Sequence, residues 1–166
     1  MRRKLRVAAY AVCVRDGQLL LARSPAPDGT PEWVLPGGGM ESGEDPYDTV
    51  RREVTEETGY RIEVTGLLGV DSLRLTLPDR RLFRRPADLH ALRLVYAGRI
   101  TGGELRNEVN GSTDLAAWHD LAAVSALTRV PLIDTALRLW RERPPTGHLE
   151  AEPLREARGA REARDD

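Results

Sequence analysis

The chain has 166 residues, 40% hydrophobic and 31% charged, with a formal net charge of −1. That is enough for one domain with a real core, and the charge balance gives no electrostatic reason to expect a nucleic-acid polymer or an anionic membrane as partner. Cys13, the only cysteine, excludes an intrachain disulfide and a cysteine-rich metal site. Its apolar strand setting predicts a buried structural thiol. No apolar run is long enough to span a bilayer, and Met1-Arg2-Arg3-Lys4 leads into a strand-like pattern, not a signal peptide; a cytoplasmic protein is expected.

In chain order, Leu5 to Val14 is apolar and β-branched, and Asp16-Gly17 is a hairpin signal that returns the chain as a second strand from Gln18 to Arg23. Ser24 to Pro31 reads as a loop punctuated by proline and glycine, and Trp33 to Leu35 as a short strand that Pro36 delivers into a glycine turn, Gly37 to Gly39. A helix follows. Asp45 suits its N-cap, Pro46 its first position and Gly59 its terminator, while Glu44 favours the positive helix end. Tyr47, Val50 and Val54 give it an apolar face.

Beyond the helix, Arg61 to Leu77 reads as one or two strands broken near Gly66 or Gly69. Arg80, Arg81, Arg84 and Arg85 surround Phe83 in a basic loop, read mainly as a solvated loop and alternatively as a phosphate clamp. His90 to Ile100 alternates as a strand and Thr101 to Gly103 turns it. A loop from Glu104 to Asp114, a strand from Leu115 to Trp118 and a short helix from Asp120 come next. A second main helix starts at Pro131 with the stripe Leu132, Ile133, Ala136, Leu137 and Trp140. From Pro144 the composition turns to Pro, Glu, Arg and Ala, which predicts a domain over residues 1–143 and a disordered or frayed tail over 144–166.

The chemistry gathers on the first helix. Glu53, Glu56 and Glu57 fall at i, i+3 and i+4, so their carboxylates share one face and repel each other unless a cation joins them. Oxygen-only donors of this kind suit Mg²⁺ or Mn²⁺. Arg52 can pair with Glu56 at i, i+4. The plain alternative is a solvated charged face.

The segment from Gly38 to Tyr60 resembles the Nudix box of the Nudix hydrolase (MutT-like) family. Gly38 opens it, Glu44 follows, then Arg52-Glu53, Val54, Glu56-Glu57 and Gly59, and Tyr60 stands where an aliphatic residue is usual. The resemblance implies an α+β Nudix fold, a mixed β-sheet sandwiched between helices. It also implies a Mg²⁺- or Mn²⁺-dependent pyrophosphohydrolase that cleaves a nucleoside diphosphate linked to another moiety by water attack on phosphorus. On it, Glu53, Glu56 and Glu57 are metal ligands, with Glu53 alternatively the base, and the carbonyl of Gly38 or a neighbouring glycine an extra ligand. Glu44 has a secondary metal role. Glu108 is the favoured further acid from a later loop, with Glu104 the alternate.

Arg52 is an orienting residue, and Arg23 and Trp33 are candidates for contacting the substrate's phosphate and base. His90, His119 and His148 lack metal-ligand spacing and are read as structural. The partner is then a small nucleotide-type molecule, and the protein a monomer or homodimer. The rival is a non-catalytic nucleotide-sensing module of the same fold, less favoured because every acid of the box is intact. The residues do not select one nucleoside diphosphate derivative.

Overall fold

The computed structural model describes residues 2–26, 28–77 and 87–150. Its elements are β1 (Arg2–Arg15), β2 (Gln18–Pro25), β3 (Pro31–Val34), β4 (Gly37–Gly39), α1 (Pro46–Thr58), β5 (Tyr60–Leu77), β6 (Ala87–Gly103), β7 (Leu115–Asp120), a 3₁₀ helix (Leu121–Ala126) and α2 (Pro131–Glu142). The main strand order is β3-β2-β1-β6-β5, with β4 added to β1 and β7 to β2. β1 and β6 run parallel, while the other pairings are antiparallel, so the sheet is mixed.

Alternation along β1 divides the core in two, because successive side chains point to opposite faces. Ala9, Ala11 and Cys13 pack with Val50 and Val54 of α1, together with Leu20, Tyr60 and Ile62. Val12 faces the other way and joins Leu19, Leu21, Leu35 and Val95 against Leu132, Ile133, Ala136, Leu137 and Leu139 of α2. The expected α+β architecture, a sheet between two helices, is the one observed. Burial pushes the Cys13 thiol up to about 12, so it is a core residue.

Local chemistry sets the boundaries. Asp16 and Gly17 both take positive φ, 51° and 74°, as a two-residue hairpin matched to strand twist requires. Asp45 caps α1, its side chain accepting from the Asp48 backbone N–H at 3.0 Å. Gly59 ends the helix in the left-handed region at φ 78°, donating to the Thr55 carbonyl at 3.0 Å. β5 is one strand; the irregularities expected at its glycines are register shifts at Val64/Gly66 and Leu67/Gly69.

Three expectations are corrected. The glycine triplet is not a turn but the strand β4, paired with Ala8, Ala9 and Tyr10 of β1. Tyr47 does not pack on the sheet: it is 44% exposed, with the Arg51 guanidinium 5.5 Å from its ring centre, whereas Val50 and Val54 are buried. Thr101 to Gly103 stay in the strand, Gly103 lying opposite Tyr60. Beyond α2 the Gly147 carbonyl accepts from Val70 N–H at 3.1 Å, and Leu149 packs on the α2-side core. The basic loop around Phe83 and residues 151–166 lie outside the described residues.

Candidate active site

α1 presents its acids to β4, and Arg52 is the hub between them. Its Nε donates to Glu44 Oε1 at 2.6 Å and its Nη2 to Glu44 Oε2 at 3.0 Å, a two-pronged pair. Nη1 donates to Glu53 Oε1 at 3.0 Å and to Glu56 Oε2 at 3.1 Å, and Nη2 reaches the Gly39 carbonyl at 3.3 Å. Glu44 also accepts from the Thr49 hydroxyl at 2.8 Å and the Glu41 N–H at 3.0 Å. The Arg52 guanidinium, with these added donors, holds the Glu44 carboxyl down at about 2. Glu44 is thereby the residue that positions Arg52.

Glu57 is the buried acid, only 2% exposed, and its carboxylate accepts from the Gly37 N–H at 2.9 Å. Burial pushes its carboxyl up to about 8; the nearby charges of Glu53, Glu108 and Glu56 push in the same direction and the Gly37 hydrogen bond opposes them. Burial also raises Glu53, with Arg52 pulling against it and the charges of Glu56 and Glu108 adding to it. A Cβ on Gly38 would lie 2.7 Å from Glu53 Oε1, so the glycine makes the space that the carboxylate occupies.

Glu108 comes to this site from the loop before β7. Its carboxylate is fixed by the Thr113 N–H at 3.0 Å and the Thr113 hydroxyl at 2.8 Å, and its charge is felt at both Glu53 and Glu57. Glu104, the alternate, is exposed, and its backbone lies against Gly59 at the far end of α1. The Gly38 carbonyl is less well placed than its neighbours'. The bonds Ala11 N–H to Pro36 O and Met40 N–H to Val7 O bracket Gly38 in a pair facing β1. It is Gly37 and Gly39 whose backbone meets the carboxylate and the arginine.

The two substrate candidates neighbour each other on β2 and β3. Arg23 makes a two-pronged pair with Asp114, at 3.0 and 2.9 Å, and stands 6.0 Å from the Trp33 ring centre. Trp33 is half-buried and meets the edge of His119, ring centres 4.1 Å apart. Burial lowers the His119 imidazole, consistent with a structural histidine.

The carboxylates of Glu53, Glu56 and Glu57 share the expected face but are drawn to Arg52 and Gly37. Among the described residues, no three histidine, cysteine or acidic side chains gather at one metal-holding point. The donor set nonetheless fits a hard divalent cation. It is all oxygen, and burial raises the Glu53 and Glu57 carboxyls, so a cation there would stabilise their ionised forms. Sequence reading missed the Gly37 N–H, Thr49 and Thr113, which hold Glu57, Glu44 and Glu108 in place.

The sequence matches the NUDIX domain over residues 3–140. It is 50% identical over 64 residues to a MutT-like protein of Streptomyces ambofaciens, covering 39% of this chain and 40% of that protein. It is 37% identical over 94 residues to an RNA pyrophosphohydrolase of Xanthomonas oryzae pv. oryzae, covering 54% of this chain and 44% of the relative. The chain thus spans less than half the length of these relatives. A crystal structure of a MutT NUDIX hydrolase from Burkholderia pseudomallei superposes with a TM-score of 0.65 at 29% identity, covering 82% of this chain and 98% of that one. With the domain matched over most of its length and the glycine strand set against an acidic helix, the chain belongs to the Nudix hydrolase family.

Proposed function

We propose that the protein is a Mg²⁺- or Mn²⁺-dependent pyrophosphohydrolase, cleaving a nucleoside diphosphate linked to another moiety by attack of water on phosphorus. The observation that carries this is the desolvated acid pair Glu53 and Glu57, set beside Glu56 and Glu108 around a strand of glycines. A group of carboxylates kept partly from water repels itself, and a divalent cation with a phosphate relieves that repulsion.

Glu53, Glu56 and Glu57 would hold the cation, with Glu108, a glycine carbonyl and, secondarily, Glu44 beside them. When bound, it supplies charge neutralisation at the phosphate oxygens and acidifies water. The chain's own part is orientation and proton handling. Arg52, clamped by Glu44, holds Glu53 and Glu56 in register on α1. Glu53, whose carboxyl burial raises, is alternatively the group that takes the proton from the attacking water in place of holding the cation. The bare backbone of β4 lets a phosphate approach without meeting side chains. The RNA pyrophosphohydrolase relative fits a substrate that carries a diphosphate unit.

A panel of nucleoside triphosphates, dinucleoside polyphosphates and nucleotide sugars, assayed with Mg²⁺ and with Mn²⁺, tests the reading. Phosphate release is measured with and without added phosphatase. Metal-dependent release from at least one compound is expected. Tight binding with no turnover of any of them would favour the nucleotide-sensing module instead.

A further inference from the structure

Around the glycine strand the arginines are mostly committed. Arg52 is taken by Glu44, Glu53 and Glu56, Arg93 by Asp71, and Arg23 by Asp114. Arg6 of β1 differs: it is exposed and has no carboxylate within ion-pair distance among the described residues. Its position is set by β4. A Cβ on Gly39 would stand 3.3 Å from Arg6 Nε and Nη2 and 3.7 Å from Cζ, so the guanidinium turns its Nε/Nη2 edge toward that glycine. A Cβ on Gly37 would stand 2.7 Å from Tyr10 Cδ1, so the phenol ring covers the other end of the strand on the same side.

Because side chains alternate along a strand, the Gly38 direction is the opposite one, and it is there that Glu53 lies. β4 therefore separates two walls of opposite charge by the width of its backbone. The acids of α1 form one; Arg6 and Tyr10, with the Arg93–Asp71 pair of the neighbouring strands behind them, form the other. Tyr10 feels the charges of both: Arg6 and Arg93 on its own side, Glu57 and Glu53 across the strand. An uncommitted guanidinium facing the edge of a phosphate site is a binding group for a further phosphate oxygen.

We propose that Arg6 binds a phosphate beyond the cleaved pair, so that the protein prefers substrates with a triphosphate or longer chain over those with two phosphates. This rests on the hydrolase reading above. The diphosphate undergoing attack belongs to the acid side of β4; Arg6, displaced across the backbone, reads the charge that extends past it. Both a free nucleoside triphosphate and a 5′-triphosphorylated oligonucleotide carry that chemistry.

The test is Arg6→Ala and Arg6→Lys against wild type, after a thermal melt has shown all three folded. With a nucleoside triphosphate, a triphosphorylated oligonucleotide and a nucleoside diphosphate sugar as substrates, Arg6→Ala should raise KM about tenfold for the compounds with three phosphates. kcat should hold within about twofold, and the sugar nucleotide should change little. Arg6→Lys should recover part of the loss. Whichever triphosphate shows the larger effect identifies the source. In parallel, calorimetric titration of inorganic tripolyphosphate without divalent cation should show binding to wild type that Arg6→Ala weakens and pyrophosphate does not match. An equal KM change for all three substrates, or tripolyphosphate binding indifferent to Arg6, overturns the proposal. Arg6-dependent tripolyphosphate binding without hydrolysis of any compound would uphold it and sink the hydrolase reading instead.

Discussion

Glu57 is where the energetics of single residues are clearest. Its carboxyl, ordinarily near 4.5, stands at about 8 in the folded protein, so the folded state holds its proton more tightly than the unfolded one. The stability this confers is full below pH 4.5 and drains away as pH rises through about 8. Glu44 works in the other direction: lowered to about 2 by Arg52, it stabilises above its ordinary range and loses that contribution as pH falls toward about 2. In metal-free buffer we expect the Tm of wild type to fall between pH 5 and 8, and Glu57→Gln to flatten that slope; thermal melts across pH read both. A divalent cation should flatten it too, since it stabilises the ionised form. On turnover, Glu56→Gln and Glu57→Gln should each cost on the order of a hundredfold, as loss of several kcal/mol of electrostatic stabilisation implies. Both should leave metal-free stability unchanged or slightly higher. Unchanged turnover together with unchanged Mn²⁺ binding by calorimetry would remove the acids from the mechanism.

Among the elements, β4 was the one the sequence concealed. Three successive glycines carry no propensity to distinguish a turn from a strand, and what decides is pairing with Ala8, Ala9 and Tyr10, far away in the chain. α1, in contrast, was legible from its cap, its first proline and its terminal glycine, because those signals are local. Of the site, the acidic face was readable from spacing and Glu108 from the family resemblance, while the Gly37 N–H that holds Glu57 and the approach of Glu108 to the helix acids depended on contacts between distant strands and loops. The strand makes two glycines separable by experiment. A methyl on Gly37 would run into the Ala9 carbonyl and stand 2.6 Å from Tyr10 Cα, both backbone atoms. Gly37→Ala should therefore lower stability by roughly 2–4 kcal/mol, seen as a reduced urea midpoint. A side chain on Gly38 first meets the Glu53 carboxylate, a side chain and not backbone. Gly38→Val should consequently suppress metal-dependent turnover strongly while shifting the melt less than Gly37→Ala does.

For the whole molecule, most of the strand and helix order followed from hairpin signals and periodicity, while composition alone is a weak guide to the edge of the folded body. Composition changes at Pro144, whereas Gly147 and Leu149 still pack on β5 and the α2-side core. Low apolar content conceals a segment held by one backbone hydrogen bond and one leucine. Deleting residues 151–166 should leave Tm and turnover nearly unchanged. Deleting from Pro144 should cost on the order of 1–2 kcal/mol, or several degrees in Tm. Calorimetry on the two truncations distinguishes a boundary near residue 150 from one at residue 143.

The parallel pairing of β1 with β6 has a consequence for how the protein is made. Arg2 lies beside Ala87 and Cys13 beside Gly98, so the sheet's central strand waits for chain synthesised much later before its second edge is filled. During translation α1 emerges early, yet the surface it packs on includes Tyr60 and Ile62, whose strand is hydrogen-bonded along its length to β6. Contacts so distant in sequence slow folding and leave a bare strand edge on the ribosome in the interval. Nascent chains arrested before residue 87 should leave the α1 amides exchanging freely with solvent, and chains extended past residue 103 and clear of the exit tunnel should protect them.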